Sequence, residues 1–342
     1  MMRHVLAIAL MALGIGYAAH ADRAAAQDDF YHGKTIKLMI GTGPGGGYDT
    51  YGRLVARHIG RHIPGNPSVV PQNQPGASSL VLTNYLFNSA PHDGTIIGII
   101  NQAMPIEQYL KSPNTNYDVN KFNWIGRVSS AVEMAIVWHT VPVNTIQDVF
   151  TRETLMGGTG PTSSTEFVPR LLNNLAGTKF RVISGFSGTS AIALAMERGE
   201  VEGSATPLES LTSYRADWVR DKKIKILVQY TRKRDPELAD IPTMVELGKT
   251  DEGKKILAFY ASGADIGRSI LAPPGLPLER VQTLRTAFDA MLKDPEFLAD
   301  CKKLGIQVKP MSGADVQHLV AEIGEFPAAL VPKARAARAA TK

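Results

Sequence analysis

Residues 35–53 read TIKLMIGTGPGGGYDTYGR, a stretch whose character changes twice. Its first six residues are mostly apolar and predict a short β-strand. A glycine-rich loop follows, and apolar side chains then recur at helical spacing from Tyr51 to Ile59. Pro64 and Gly65 are expected to end this helix. The stretch therefore predicts one unit of strand, loop and helix.

The same unit recurs directly downstream. Residues 68–73 predict a second strand, residues 80–86 a second helix, and residues 95–101 a third strand. Ser78 or Ser79 is expected to be the N-cap of the second helix. This βαβαβ order predicts a parallel sheet joined by right-handed crossovers.

A second assembly of strands and helices lies in the middle of the chain. Its predicted strands cover residues 155–158, 179–184, 201–205 and 224–230. Gly177 and Gly199 are expected to end the two helices between them. The Ala- and Arg-rich tail, residues 333–342, is expected to fray. The chain thus predicts two α/β assemblies rather than one.

Composition agrees with two globular domains. The chain has 342 residues, of which 44% are hydrophobic and 20% charged, and this balance argues against global disorder. Its formal net charge of +5 suits weak attraction of anions. The sequence has no basic cluster interleaved with aromatic residues, so a nucleic-acid partner is not predicted.

The first 26 residues have the pattern of a secretory signal peptide. A short basic start precedes an apolar run from Val5 to Tyr17, and small residues then allow cleavage after Ala21 or Ala26. The alternatives are a membrane anchor or a buried helix, although the apolar run is short for a membrane span. The single cysteine, Cys301, is not at a cleavage site, so no lipoprotein anchor is predicted. We expect export to the periplasm, with Cys301 as a small buried hydrophobe.

Four loops after predicted strands are rich in Gly, Ser and Thr. They cover residues 43–49, 76–79, 159–164 and 185–190. In parallel sheets, ligands bind at the carboxyl ends of the strands. Glycine permits close approach of the backbone, and the amides at a helix start attract an anion. The four loops therefore predict an anion site between two lobes.

Enzyme interpretations of the same loops fit less well. Residues 41–46 match G-x-G-x-x-G, the dinucleotide-binding fingerprint, but the second strand ends in Pro71-Gln72-Asn73-Gln74 and lacks the acidic residue expected there. The segment at Ser187 resembles a nucleophile elbow, but Thr189 stands where that motif has glycine.

Other candidate groups also favour simple structural roles. His58 and His62 are four residues apart and could face a metal, but Ile59 stands where the metalloprotease motif has glutamate, so a partly exposed helix face is favoured. The carboxylates of Glu166, Glu197, Glu200 and Glu202 are interpreted as solvated surface, whereas Glu209 follows a strand end and could face the cleft. No cofactor and no metal are predicted.

Several motifs together resemble one known family. The segment Pro44 to Arg53 is similar to the PGG-x-x-D-x-x-x-R element of the tricarboxylate-binding receptor family, the Bug-type periplasmic receptors of tripartite tricarboxylate transporters. Further similar segments, in the same order, are residues 73–77, 91–95, 239–243, 271–277, 294–297 and the segment around Gly305. The resemblance covers about residues 33–325.

The resemblance implies an α/β periplasmic binding protein of the Venus-flytrap type, in which each lobe has a Rossmann-like sheet with flanking helices. Carried over to this chain, lobe one comprises residues 27–132 plus 268–342, and lobe two residues 133–267. The expected ligand-binding residues are Gly45, Gly46, Gly47, Tyr48, Asp49, Gly76, Ala77, Ser78, Asn101, Thr159, Thr162, Ser163, Ser164, Phe186, Ser187, Thr189, Thr206 and Glu209. Amides of residues 45–48 are expected to hold a carboxylate, while Asp49 orders the loop.

The chain also departs from the family pattern. Ser78 and Ser79 stand where the family often has a glycine pair, and Ala205-Thr206 replaces a common aspartate, which disfavours an amino-acid ligand. The predicted function is a monomeric, non-catalytic receptor that delivers a small organic acid to integral membrane transporter subunits. The alternatives are a periplasmic sensor that feeds a signalling system and an enzyme that processes a small acid.

Overall fold

The structure is a computed structural model that describes residues 30–160, 163–208, 211 and 215–339. The predicted signal peptide, Thr162 and Glu209 lie outside the described residues. The described strands form two separate sheets of six and five strands. Helices flank both sheets, as the predicted α/β class requires.

The first sheet begins with the strand of the opening motif. Its strands are β1 (Thr35–Ile40), β2 (Ser68–Asn73), β3 (Ile96–Ile99), β4 (Asn123–Arg127), β10 (Ser269–Ala272) and β11 (Met311–Ser312), in the spatial order β11-β4-β10-β3-β1-β2. The first three strands are parallel, and Ile40 pairs with both Asn73 and Ile99. Their carboxyl ends are therefore level, so the loops that follow them lie side by side. The predicted bounds of β1 and β2 are confirmed.

The second sheet is built from the middle of the chain. Its strands are β5 (Glu133–Trp138), β6 (Thr154–Gly158), β7 (Phe180–Ser184), β8 (Gly203–Pro207) and β9 (Ile224–Gln229), in the order β7-β6-β8-β5-β9. Gly158 pairs with Ser184 in parallel register, so the loops after β6 and β7 also meet at one edge. Strand β5, which enters this sheet from the first, is antiparallel to both of its neighbours.

Helices cover the two sheets. They are α1 (Gly47–Ile59), α2 (Leu80–Asn88), α3 (Met104–Tyr109), α4 (Ser164–Ala176), α5 (Thr189–Glu197), α6 (Ala216–Arg220), α7 (Asp251–Ile266), α8 (Leu278–Met291), α9 (Pro295–Lys303), α10 (Gly313–Gly324) and α11 (Val331–Ala337). We call the first sheet with its helices lobe one and the second sheet with its helices lobe two. Helix α7 contacts α3 and α10 of lobe one and α4 of lobe two.

One hydrophobic cluster connects the two lobes. It includes Ile106 of α3, Phe167 of α4, and Tyr260 of α7, all largely buried. A second cluster lies under α1, α8 and α9 in lobe one, and includes Cys301, whose predicted role as a buried hydrophobe is confirmed. Burial raises the pKa of the Cys301 thiol to about 11, which keeps it protonated and unreactive at neutral pH.

The prediction that the tail frays is wrong for residues 333–339. Helix α11 packs on α4, and the Tyr260 hydroxyl donates to the Ala334 carbonyl at 2.9 Å. Arg338 forms an ion pair with Glu107 of α3, with 2.9 Å between the charged atoms. The Ala-rich composition of α11 allows this helix to lie close against its neighbours. The same composition, considered without the fold, predicts disorder.

The predicted face for His58 and His62 is also wrong in part. His58 is buried, and its Nε2 lies 2.9 Å from Asp300 of α9. His62 is half-buried and makes the same kind of contact with Asp294. His58 therefore connects α1 to α9, and His62, just after α1, contacts the residue that precedes α9. Within the described parts of the chain, no group of three His, Cys, Asp or Glu side chains is placed to hold a metal ion.

Candidate ligand-binding site

A cavity of about 330 Å³ lies between the two lobes, at the edge where the strand ends meet. Lobe one lines it with Ser78, Asn101, Gln102, Ala103 and Ile106. The opposite wall comprises Glu133, Thr159, Gly160, Ser163, Ser164 and Phe167, and α7 adds Tyr260 and Gly263. We call this space the cleft. Its volume is within the range of small-molecule sites.

The start of α4 forms the lobe-two wall of the cleft. Ser163 is the N-cap, and its hydroxyl accepts from the Thr165 N–H. Thr165 is buried, and its own hydroxyl accepts from the Thr159 N–H at 3.1 Å and lies 2.9 Å from the Ser163 hydroxyl. These bonds hold Thr159 and Ser163 against Thr165, so that the positive end of a helix of 13 residues faces the cleft. The arrangement suits an anion.

The lobe-one floor of the cleft is an unusual backbone turn. Ala77, Ser78 and Ser79 have positive φ angles of 44°, 55° and 81°. Such left-handed conformations cost non-glycine residues about 1 kcal/mol each. Ser78 and Ser79 are the two positions at which the sequence departs from the family's glycine pair. The chain therefore retains a strained turn and places a hydroxyl, that of Ser78, at the cleft.

Ser79 holds this turn in place. Its side chain is fully buried, and its hydroxyl donates to the Gly41 carbonyl at 2.9 Å and accepts from the Asn101 N–H at 3.1 Å. A Cβ at Gly41 would lie 2.3 Å from that hydroxyl, so glycine is required there. Ser79 is the N-cap residue of α2, one of the two predicted positions, but its hydroxyl makes no capping bond and instead links the ends of β1 and β3.

Asn101 lies at the end of β3 and is the second polar contact of lobe one. Its Oδ1 accepts from the Ala103 N–H at 2.9 Å, which orients the side chain. Because this bond identifies the oxygen of the amide, the nitrogen is the atom that can donate to a ligand. Asn101 lines the cleft together with Ser78. Lobe one thus contributes neutral donors, opposite the helix start of lobe two.

The loop before α1 is held by a network centred on Asp49. This carboxylate is buried and accepts from the Gly45 N–H at 2.9 Å, from Arg53 at 2.9 Å and from Asn73 at 2.8 Å. Burial acts to raise the pKa of Asp49, but the hydrogen bonds from Arg53, Gly45 and Asn73 outweigh it and hold the pKa below its usual value. Asp49 therefore orders the loop, as its sequence position predicts.

Comparison with known proteins identifies the family of this chain. Residues 53–333 match the model of a family described as the tripartite tricarboxylate transporter family receptor. The match covers well over half of the chain. The chain belongs to this receptor family. The family is one of solute-binding receptors and not of enzymes.

Individual relatives of the receptor family extend over nearly the whole chain. A UPF0065 protein of Cupriavidus necator is 25% identical, over 98% of this chain and 99% of the relative. The crystal structure of a TctC solute-binding protein from Polaromonas has a TM-score of 0.65 at 20% identity, covering 89% and 99% of the two chains. An R. palustris protein solved with adipate also has a TM-score of 0.65 at 20% identity, covering 89% and 97%. These likenesses confirm the two-lobed fold.

The receptor's predicted ligand-binding residues divide into two groups. Those brought together at the cleft are Ser78, Asn101, Thr159, Ser163 and Ser164, and Ala77 lines an adjoining cavity. The other predicted residues that the structure describes line neither the cleft nor the adjoining cavity. They are Gly45, Gly46, Gly47, Tyr48, Asp49, Gly76, Phe186, Ser187, Thr189 and Thr206. Tyr48 nevertheless supports the floor, because its hydroxyl accepts from the Gln102 N–H at 2.8 Å.

The second loop of lobe two stands apart from the cleft lining. The Phe186 N–H donates to the Gly158 carbonyl at 3.2 Å, which places this loop beside the end of β6. Phe186 itself packs on the core of lobe two, and Ser187 and Thr189 are exposed. Thr206 pairs with Met134 between β8 and β5.

Sequence reasoning did not find several cleft residues. Gln102 and Ala103 follow β3, Ile106 lies on α3, and Glu133 begins β5. Phe167 lies on α4, and Tyr260 and Gly263 come from α7, far away in sequence. The interpretation of Glu166 as solvated was wrong, since this carboxylate is buried and lies 2.8 Å from Arg170. The sequence signal for this ion pair is the spacing, because Glu166 stands four positions before Arg170 on a predicted helix.

No described helix has both the length and the apolar character needed to cross a membrane.

Proposed function

We propose that this protein is an exported receptor that captures a small carboxylated molecule in the cleft and delivers it to a tripartite tricarboxylate-type membrane transporter. The observation that carries the proposal is the start of α4, which faces Ser78 and Asn101 across the cleft. A carboxylate there is held by the positive end and the hydroxyl groups of the α4 start in one lobe and by neutral donors of the other.

Glu133 determines which way the ligand lies. It is acidic and lines the same cleft as Ser163. Two like charges in contact are unfavourable, so the ligand's carboxylate lies at the α4 end, away from Glu133. The R. palustris relative solved with adipate supports a small organic acid as the ligand class.

The remaining parts of the proposal concern the working cycle. The lobes divide at residues 132–133 and 267–268, where the chain passes between the two sheets, and closure about these crossings buries the ligand. The protein works in the periplasm as a monomer after removal of its first 21 or 26 residues, and it catalyses no reaction. The distribution of strands between the sheets supports this division.

Thermal unfolding of the mature protein, residues 27–342, tests the proposal. The panel contains mono-, di-, tri- and aromatic carboxylates, with sugars and amino acids as controls. A carboxylate at a hundred times its dissociation constant should stabilise the fold by about 2.7 kcal/mol, a shift of roughly five degrees. A panel in which no carboxylate raises the midpoint contradicts the proposal.

A pair of matched variants tests whether the stabilising carboxylate binds at the start of α4. Ser163→Ala and Ser312→Ala each remove the hydroxyl cap of a long helix, α4 and α10 respectively. Both should lower stability by about 1 kcal/mol. Only Ser163→Ala should also reduce the shift caused by the carboxylate, because Ser312 does not line the cleft.

A further inference from the structure

A second cavity of about 330 Å³ adjoins the cleft on the lobe-one side. Its lining residues are Ala77, Ser78, Leu80, Asn101, Ala103, Met104, Glu107, Ser112, Pro113, Thr115 and Arg338. Three of these, Ser78, Asn101 and Ala103, also line the cleft. We call this cavity the side chamber. The shared residues mean that the two spaces meet at the proposed anchor.

The side chamber is preformed rather than a gap between loose loops. Its outer wall, residues 112–115, is attached to α2. The Asn84 amide donates to the Asn114 carbonyl at 2.9 Å, and the Asn88 amide donates to the Asn116 carbonyl at 2.7 Å. A space with a fixed outer wall can select a ligand by shape.

The charged groups of the side chamber are already matched to each other. Arg338 lies 2.9 Å from Glu107, and its guanidinium also stands over the rings of Phe167 and Tyr260. Glu107 accepts a further bond from the Ser112 hydroxyl. A second ligand carboxylate would have to displace Glu107 from Arg338. The chamber therefore does not offer a second anion site.

The rest of the lining is mostly apolar. Leu80, Met104 and Pro113 form its walls, with Ala77 and Ala103 near the cleft. The Thr115 hydroxyl donates to the Ser112 carbonyl at 2.7 Å, so this polar group of the wall is already hydrogen-bonded within the protein. Removing apolar ligand surface from water into such a space is favourable.

We propose that the side chamber receives the apolar body of an elongated monocarboxylate whose charged end lies in the cleft. This rests on the proposed function and narrows it, because it favours an acid with one carboxylate and a hydrocarbon tail over a compact di- or tricarboxylate. Ser78 and Asn101 mark the point where the ligand passes from the polar to the apolar space.

Titration calorimetry with a series of straight-chain monocarboxylates, from butanoate to decanoate, tests the proposal on the mature protein. Affinity should rise about threefold to fourfold with each added methylene until the side chamber is full, and then level off. Adipate and citrate, which carry two and three carboxylates, are the comparators and should bind more weakly than the best monocarboxylate.

Two variants of one residue locate the tail. Thr115→Phe fills part of the side chamber and should reduce affinity for the longest acids about tenfold or more, while butanoate binding stays unchanged. Thr115→Val has the shape of threonine and should keep the wild-type chain-length dependence. If Thr115→Phe unfolds, the chain-length series on the wild type still decides.

The outcomes separate the two proposals. Tight adipate or citrate binding with no dependence on chain length overturns the side-chamber proposal and leaves the receptor function standing. Absence of binding by every carboxylate overturns the proposed function itself. A chain-length dependence that Thr115→Phe leaves intact places the tail elsewhere and also overturns the side-chamber proposal.

Discussion

The loops before α1 and α4 have the same sequence framework but different chemistry. Residues 43–53 read GPGGGYDTYGR, and residues 160–170 read GPTSSTEFVPR, so both follow G-P-x-x-x-x-acid-x-x-x-R. Each precedes a helix of 13 residues whose N-caps, Gly46 and Ser163, occupy equivalent positions. In each, the acid pairs with the arginine one turn later.

The difference lies in where the acid points. Asp49 turns back and accepts the Gly45 N–H, so the positive end of α1 is already matched by the chain's own carboxylate. Glu166 is buried with Arg170, and hydroxyls surround the start of α4 at the cleft. The comparison indicates that a helix start serves a ligand only where the protein has not supplied an anion of its own.

Giving α4 a carboxylate at its cap is the strongest way to break this comparison. Ser163→Asp keeps a good N-cap, so stability should be unchanged or slightly higher. A fixed negative charge at the proposed anchor should reduce carboxylate affinity about a hundredfold or more, since like charges repel at contact. Titration calorimetry measures the loss.

Ser312→Asp is the matched control, because it makes the same change at the cap of α10, away from the cleft. It should leave affinity at the wild-type level. If Ser163→Asp binds carboxylates as well as the wild type does, α4 is not the anchor.

Removing the internal anion of α1 tests the other half of the comparison. Asp49→Asn should lower the free energy of unfolding by about 1–3 kcal/mol, because buried donors lose their charged acceptor. Ligand affinity should change little by comparison. Chemical denaturation followed by circular dichroism measures the first effect, and calorimetry the second.

The effect of Asp49 should also depend on pH. Its pKa is held below the usual value, so folding favours the ionised carboxylate. The stabilisation is present above the unfolded pKa of about 3.9 and is lost as pH falls through the folded pKa. The stability difference between wild type and Asp49→Asn should therefore be largest near neutral pH and shrink below about pH 4. A difference that grows towards low pH contradicts this account.

Restoring glycine in the strained turn separates strain from recognition. Ser78→Gly removes a left-handed serine at φ 55° and should stabilise the fold by up to about 1 kcal/mol. It also removes a hydroxyl from the cleft, so affinity should fall about fivefold to tenfold. Combined melting and binding measurements test both signs. A loss of stability with unchanged affinity would show that Ser78 is neither strained nor in contact with the ligand.

Releasing a paired cation gives the smallest expected effect. Glu107→Gln leaves Arg338 without its carboxylate partner in the side chamber. Long dicarboxylates should then gain about threefold to fivefold in affinity relative to monocarboxylates, because the chamber now offers a cation to the distal carboxylate. Competition binding measures the ratio, with Thr115→Val as the neutral control in the same chamber. An unchanged ratio would show that Arg338 does not face the ligand's far end.

Local sequence patterns predicted the parts of the fold that depend on local physics. The bounds of β1 and β2 follow from strand periodicity, and the end of α4 follows from Gly177, whose φ of 85° suits a helix C-cap. The role of Asp49 follows from its position in the first helical turn. These features depend on residues close to one another in the chain.

The cleft could be predicted only in part, because its lining depends on how distant elements meet. Tyr260 and Gly263 reach the site only through the packing of α7 between the lobes. The Ser79 hydroxyl bonds to Gly41, 38 residues away, which no capping pattern reveals. Arg338 lies in a tail whose composition suggests disorder, and its partner Glu107 is 231 positions earlier.

A crystal structure of the mature protein with its tightest-binding monocarboxylate would show where the charged end of the ligand is held. We expect the carboxylate at the start of α4, within about 3 Å of the Ser163 and Ser164 groups, with Ser78 and Asn101 alongside and the tail in the side chamber. A carboxylate bound instead to the amides of residues 45–48, with the start of α4 in contact with water alone, would contradict it.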